Sequence, residues 1–346
     1  MYHDVTGGPL ADSAQRFKAR LIQAGLEAGA ISAAWPEWWS EAADASPSAL
    51  AELRFSVARK LGLDPRYLME DEQPRYFWDA GAKYKHFKGD ENRERPAITS
   101  FGISVGRMLV RATPSHNPVG GLSANSLRES LLNVSAKNKL PFFTLRELLA
   151  FLWAVGIPVI HLRVFPLAAK RMCAMAVNIQ GRYAILLARD SKYPAETTFH
   201  LAHEIGHIAS GHIKNNLALI DMENPEEAIT PQDDEELEAD RYALELLTGS
   251  STPEIIKQGD GHNAKELAKQ VSAKGSENRI EPGTLALCYG YKTKEWATVK
   301  ASFEHIYTAP ISVWEVVNKN ARDQLVWDEL VDEDSSFLHA VMGGIN

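Results

Sequence analysis

The sequence predicts an α+β fold, in which a small mixed sheet and two functional helices are flanked by helical regions. Short strand-like segments gather between residues 157 and 190, and two strongly patterned helices follow them. The chain before about residue 96 and after about residue 250 has helical periodicity instead. We therefore expect a helical N-terminal region (1–96), a central domain (97–250) and a helical C-terminal region (251–346), which 346 residues are enough to build.

In the N-terminal region the clearest helix lies between a Ser cap at Ser46 and a stop at Gly62. One face of this helix is apolar, and the charged stretch 85–97 that follows later is typical of a linker or an exposed loop. The region could be a sensor, a partner-docking domain or a divergent DNA-binding module. The apolar stripe consists of Leu50, Leu53, Val57 and Leu61.

The central domain begins with a buried helix that Thr144 caps and Gly156 ends. Three segments rich in β-branched and apolar residues then predict strands, and a tight turn at residues 180–182 joins the last two. The predicted strands are Ile157–Phe165, Met175–Ile179 and Tyr183–Asp190.

Residues 197–213, TTFHLAHEIGHIASGHI, contain four histidines and one glutamate. Pro194 suits the first turn of a helix through this segment. At about 100° per residue, His203, His207, His200 and Glu204 share one face, and the apolar residues lie on the other. The segment therefore predicts a helix with a buried side and an imidazole–carboxylate side.

The segment HEIGH, residues 203–207, is an HExxH motif. Two histidines one helical turn apart can direct a ring nitrogen at the same tetrahedral zinc ion, which makes His203 and His207 candidate ligands. Glu204 reaches the water molecule on the metal and is the candidate catalytic base. The alternative is a helix with partly exposed histidines and no metal.

The next predicted helix, DDEELEADRYALELLTG, offers the third ligand. Glu236 and Asp240 lie one turn apart on its apolar side. We expect Glu236 to bind zinc and Asp240 to accept the free N–H of a zinc-bound imidazole. Glu235 is the second choice as ligand, because a register error of one residue is easily made, and Glu238 should face solvent.

Three other residues of the histidine segment have expected roles. His200 lies on the metal face, but a fourth protein ligand would close the position that catalysis needs, so we expect it behind the ligands or in the pocket wall, or exposed. His212 follows the helix end and is expected to be structural. Gly206 would let the second helix approach closely.

The order and spacing of YAILLARD, FHLAHEIGHIASGH and ELEADRYALELL resemble those of the ImmA/IrrE family of metallopeptidases over residues 125–250. The resemblance implies a zincin-like domain, with Zn²⁺ held by His203, His207 and Glu236 and with Glu204 as general base. It also implies a cytoplasmic peptidase that cuts a transcriptional repressor in a phage, mobile-element or stress-response circuit. The usual EADxFA of the family is EADRYA here, with Tyr242 in place of Phe.

The strand YAILLARD directly precedes the metal helix, so that strand or its neighbour is the expected edge on which an extended substrate pairs. The alternative is a fully paired interior strand, since the run is apolar. Residues 221–240 hold ten acids and no Lys or Arg, which fits a solvated loop better than a site for a basic target. No oxyanion donor stands out. The candidate substrate-binding residues are Ala184, Ile185, Leu186 and Leu187.

Two other classes of function compete with the peptidase. A regulator or antitoxin-like module could use the domain as a scaffold and bind DNA through a helix-turn-helix-like segment, residues 263–291. The net charge of −8, with 13 Lys and Arg against 15 Asp and Glu in the first hundred residues, does not favour DNA contact. A purely structural zinc is the third reading, but such sites fill four positions with Cys and His.

Compartment follows from three further features. The N-terminus lacks the pattern of a signal peptide, and the longest apolar run, residues 148–160, is too short to cross a bilayer. The two cysteines, Cys173 and Cys288, have no ligand spacing. We expect a reduced, cytoplasmic protein with no membrane segment.

Overall fold

The computed structural model describes residues 14–69, 73–78, 81–85, 93–114, 123–168, 172–222, 234–253 and 263–344. These residues form fourteen α-helices and one five-stranded mixed sheet, so the α+β class is confirmed. Helices make up most of the regular secondary structure of these residues. The strands are β1 (Ala82–Lys85), β2 (Val159–His161), β3 (Met172–Ile179), β4 (Arg182–Leu187) and β5 (Ala218–Met222). The helices are α1 (Ala14–Gln23), α2 (Ala28–Ala34), α3 (Pro47–Leu61), α4 (Pro65–Met69), α5 (Glu94–Arg111), α6 (Ala124–Lys137), α7 (Leu145–Ala154), α8 (Pro194–Ser210), α9 (Asp234–Thr248), α10 (Ala264–Asn278), α11 (Pro282–Thr293), α12 (Trp296–Ile306), α13 (Val313–Gln324) and α14 (Asp332–Val341).

Local signals predicted several of these elements correctly. The hydroxyl of Ser46 accepts a hydrogen bond from the backbone N–H of Ala49 at the start of α3, and Gly62 ends that helix with φ of 71°. Thr144 begins α7 with a capping box. The tight turn between β3 and β4 consists of Gln180 and Gly181, both with positive φ, as a two-residue hairpin of the primed type requires.

The sheet has the strand order β1-β5-β3-β4-β2. Strand β3 runs antiparallel to both of its neighbours, whereas β1 pairs with β5 and β2 pairs with β4 in parallel. Successive side chains alternate between two cores, as the period of two dictates. Met175 and Val177 face the core with α3, α5 and α14, and Ala174 and Ala176 face the core with α7, α8 and α9.

The expected substrate edge in β4 is wrong. Ala184, Ile185, Leu186 and Leu187 all pair with β3, and the last three also pair with β2. Their side chains are buried in the two cores. Strand β4 is therefore interior, and its backbone groups are used within the sheet, as the apolar run had indicated.

The outermost strand next to β4 is covered as well. Asn318 of α13 accepts a hydrogen bond from the backbone N–H of His161 in β2 (2.7 Å). Its side-chain amide also donates to the carbonyl oxygen of His161 (2.7 Å). A side chain thus takes the place of a further strand at this end of β2.

The N-terminal region does not fold apart from the central domain. Strand β1 lies in the same sheet as the strands that follow residue 97, and α3 packs against α5. The boundary expected at residue 96 therefore does not separate two structural units. The polar sequence of β1, AKYK, explains why the strand was not predicted: an edge strand needs little apolar surface.

The C-terminal helices α10, α11 and α12 pack on one another, and α11 also packs on α8. In a helix-turn-helix, the second helix must be exposed to enter the major groove. Here residues Pro282 to Gly290 of α11 are buried. This burial counts against groove recognition through α11. Among the helices of the described residues, none is long and apolar enough to cross a membrane.

A candidate metal centre between two helices

Helix α8 begins at Pro194, whose fixed φ suits the first helical turn, and ends at Gly211 in the left-handed conformation. Leu201, Ala202 and Ile205 are fully buried against the sheet side. The apolar side therefore sets the rotation of the helix. The histidine–glutamate face lies on the opposite side of α8 and points towards α9.

Three potential ligand atoms converge between α8 and α9. The Nε2 atoms of His203 and His207 are 3.0 Å apart. One carboxylate oxygen of Glu236 is 3.4 Å from His203 Nε2, and the other is 3.4 Å from His207 Nε2. One ligand atom from each residue fits within 4.8 Å, and all three residues are buried, so this group could hold a metal ion.

The ring nitrogen of His203 that faces away from the group contacts Asp240, as expected. Its Nδ1 lies 2.9 Å from Oδ1 of Asp240, one turn after Glu236 on α9. A carboxylate at this position fixes which ring nitrogen carries the proton, and leaves Nε2 with a lone pair for a metal. Sequence spacing alone predicted this contact, because Glu236 and Asp240 share a helix face.

Behind His207 lies His212, for which the sequence predicts only a structural role. Nδ1 of His212 lies 2.8 Å from Nδ1 of His207. Nε2 of His212 lies 3.2 Å from Oε2 of Glu238, which was expected to be solvent-facing and is indeed 59% exposed at its side chain. Gly211 is the sequence feature that could have predicted this contact, because a glycine after a helix lets the chain turn back in the left-handed conformation.

Glu204 is fully buried next to the ligands, and neither of its carboxylate oxygens has a hydrogen-bond partner in the described part of the chain. The pKa of Glu204 is raised to about 8, chiefly by burial; the charge of His203 lowers it, and the charges of Asp221 and Glu236 raise it. A buried carboxyl with a pKa near neutrality and no structural partner is suited to proton transfer.

Glu235, the second choice as ligand, points elsewhere. Its carboxylate contacts the ammonium groups of Lys83 and Lys85 in β1. Lys85, which is buried, also lies 3.1 Å from Oε1 of Glu236. No local sequence pattern predicts the approach of these lysines, because they reach the site only through the pairing of β1 with β5.

His200 lies on the same side of α8 and is half-buried, but it makes no hydrogen bond to His203 or His207. Burial lowers its pKa to about 4, so the ring is neutral at pH 7. The ring of His200 therefore does not orient His203 or His207 through a hydrogen bond. Of the acidic stretch 221–240, residues 223–233 lie outside the described residues.

The donor set itself fits a divalent cation. Two imidazoles and one carboxylate are three protein ligands, which is the number that catalytic zinc sites use when they keep one position for water or substrate. A structural zinc would need a fourth Cys or His, but His212 turns its Nδ1 to His207 and its Nε2 to Glu238. A donor set of this kind with a carboxyl group beside it is the arrangement that metal-assisted hydrolysis uses.

Comparisons with known proteins found no match: no family model, no curated protein and no solved structure is significantly similar to this chain.

Proposed function

We propose that this protein is a zinc-dependent endopeptidase with a zincin-like domain, akin to the ImmA/IrrE metallopeptidases. The observation that carries the proposal is Glu204, whose carboxyl group is fully buried without a hydrogen-bond partner in the described residues, beside the group of His203, His207 and Glu236. Burial of a carboxyl group without a hydrogen-bond partner lowers the stability of the fold. A structural or scaffolding role needs no base at this place.

The roles of the side chains follow from their contacts. His203, His207 and Glu236 would hold a zinc ion, which would supply Lewis acidity to a peptide carbonyl and to a water molecule. Glu204 accepts a proton from the attacking water and gives it to the leaving amine. Asp240 holds the proton of His203 on Nδ1, 2.9 Å away.

The substrate class is proposed to be a protein partner in the cytoplasm, namely a transcriptional repressor or regulator of a phage, mobile-element or stress-response circuit. This part rests on the resemblance of HEIGH and ELEAD to the family motifs.

The test compares wild-type protein with Glu204→Gln, which keeps the shape of the side chain but cannot accept the proton. Both proteins are loaded with one equivalent of zinc and mixed with transcription regulators encoded beside the gene. Both are also mixed with a proteome-derived peptide library, and new N-termini are identified by mass spectrometry. We expect new N-termini with the wild type and a loss of at least about 100-fold with the variant.

Glu235→Gln is the matched control, because Glu235 is a neighbouring carboxylate outside the ligand group. It should retain cleavage. Equal cleavage by wild type and Glu204→Gln, or a wild-type protein that takes up no zinc, contradicts the proposal.

A further inference from the structure

The end of α8 is built as a Schellman motif. The backbone N–H of His212 donates to the carbonyl oxygen of His207 (3.0 Å), and the N–H of Gly211 donates to that of Ile208 (3.2 Å). Gly211 supplies the left-handed residue, with φ of 78°. This geometry folds the residue after the glycine back over the last turn. In most such motifs an apolar contact forms at that point, whereas here two imidazoles meet.

The meeting of the two rings is specific in its atoms. Nδ1 of His207 and Nδ1 of His212 are 2.8 Å apart, and the ring centroids are 5.0 Å apart with the planes inclined by 64°. The side chain of His212 is only 7% exposed. Its other nitrogen, Nε2, reaches Oε2 of Glu238 on α9 at 3.2 Å. The contacts form a continuous series from His207 to an exposed carboxylate.

Metal binding determines the direction of these hydrogen bonds. If Nε2 of His207 offers its lone pair to a metal, the ring proton must reside on Nδ1. That proton is donated to Nδ1 of His212, which therefore carries its own proton on Nε2 and donates it to Glu238. In each hydrogen bond of the series, one atom is then the donor and the other is the acceptor.

We infer that His212 and Glu238 are positioning residues that orient His207 and fix its tautomer, as Asp240 does for His203. The inference rests on the proposed function for the identity of the metal, but its readout is metal affinity and not cleavage. Partners behind metal-binding histidines typically contribute 10- to 100-fold to metal affinity. The motif H-x-x-x-G-H, residues 207–212, would be the signature of this device.

The test measures the zinc affinity of the purified full-length protein by competition with a chromophoric chelator, and the absorption spectrum of the Co²⁺ form. His212→Leu keeps apolar bulk but removes the acceptor. His212→Asn places its side-chain oxygen near the position of Nδ1. We expect about 10- to 100-fold weaker zinc binding and an altered Co²⁺ spectrum for His212→Leu, and affinity within about threefold of wild type for His212→Asn. Thermal unfolding of the metal-free proteins reports any loss of folding separately.

Glu238 gives a second readout. Glu238→Ala should weaken zinc binding by about two- to fivefold, as expected for an exposed charged contact. The same change should have no effect in the His212→Leu background, because Glu238 acts through His212.

The outcomes separate the two hypotheses. A wild-type protein that binds no zinc, or one whose affinity survives His203→Ala, contradicts the proposed function. If His203→Ala abolishes zinc binding and His212→Leu leaves it unchanged, only the present inference is overturned. Equal affinities for His212→Leu and His212→Asn also overturn it, because the acceptor atom would then have no role.

Discussion

Gly206 of α8 lies directly against the backbone of Ala239 of α9. A methyl group added at Gly206 would be 3.0 Å from both the Cα and the carbonyl oxygen of Ala239. The absence of a side chain at this one position thus allows the two helices to approach, which brings Glu236 to the histidines. The close approach expected for Gly206 is confirmed.

Gly206→Ala should push the helices apart by a few tenths of an ångström, since backbone atoms cannot move aside. We expect unfolding stability to fall by about 1–3 kcal/mol and zinc affinity to fall about tenfold. Urea unfolding and chelator competition measure the two effects. Gly29→Ala in α2, where no atom lies near the added methyl group, is the control and should be neutral or stabilising. Unchanged zinc affinity in Gly206→Ala would contradict the role of this contact.

Glu236→Gln should weaken zinc binding by more than about 100-fold, beyond the effect of removing an outer partner, because it removes a charged ligand. Glu235→Gln should leave the affinity within about threefold, since Glu235 contacts Lys83 and Lys85 instead. Titration of both variants with zinc against a chelator decides between them. A larger loss of zinc affinity in Glu235→Gln than in Glu236→Gln would identify Glu235 as the ligand instead.

Arg128 of α6 joins the ends of two helices. Its guanidinium donates to the carbonyl oxygen of Leu247 in α9 (2.8 Å) and to that of Arg279 after α10 (2.9 Å). Arg128→Met removes this donor from the buried carbonyl of Leu247 and from the partly buried carbonyl of Arg279, so we expect a loss of about 2–4 kcal/mol in urea unfolding. The exposed Arg279 makes one such bond, to Leu132, and Arg279→Met should cost less than about 1 kcal/mol. Equal losses would show that the contacts of Arg128 have no special weight.

Tyr242 of α9 is 9% exposed, and its hydroxyl has no hydrogen-bond partner in the described residues. Burial raises the pKa of this phenol. Tyr242→Phe removes an unsatisfied polar atom and keeps the ring, so we expect the free energy of unfolding to rise by up to about 1 kcal/mol. Thermal and urea unfolding check this expectation, and a clear destabilisation would reveal a partner of the hydroxyl.

His339 of α14 stacks on Trp327 with ring centroids 4.0 Å apart. Burial lowers its pKa from the ordinary value of 6.5, and Arg322 lowers it further. The unfolded state therefore binds more protons between the two pKa values, so the stability from neutral His339 is lost as pH falls below about 6.5. The loss stops below the folded-state pKa. Urea unfolding followed by Trp fluorescence should show a smaller decline in His339→Phe than in wild type, and parallel declines would contradict this cause.

Local chemistry made much of the candidate site predictable. The spacing of His203 and His207, and of Glu236 and Asp240, assigns each pair to one side of a helix whatever the rest of the chain does. Ser46, Thr144 and Gly211 mark helix ends through hydrogen bonds within a few residues. Such signals depend only on neighbouring residues, so a single sequence is enough to read them.

The misses have a common cause in contacts between distant segments. The interior place of β4 depends on its pairing with β2, and β1 enters the sheet through β5. The apolar run of β4 indicated burial but not the partner strand, and the polar β1 carried no local signal of pairing, because parallel strands are joined by long connections. Lys85 and its contact with Glu236 were missed for the same reason.

Helical periodicity places His203, His207 and Glu204 on one face of α8, so the local pattern was enough to identify the histidine part of the candidate metal group. Packing between distant segments selects Glu236 over Glu235 as the third member of the group, and it places His212 behind His207. The rotation of α9 is set by packing of its apolar side and by the close approach at Gly206, and one residue corresponds to about 100° of rotation. Neighbouring carboxylates on one helix are chemically alike, so packing alone could choose between them.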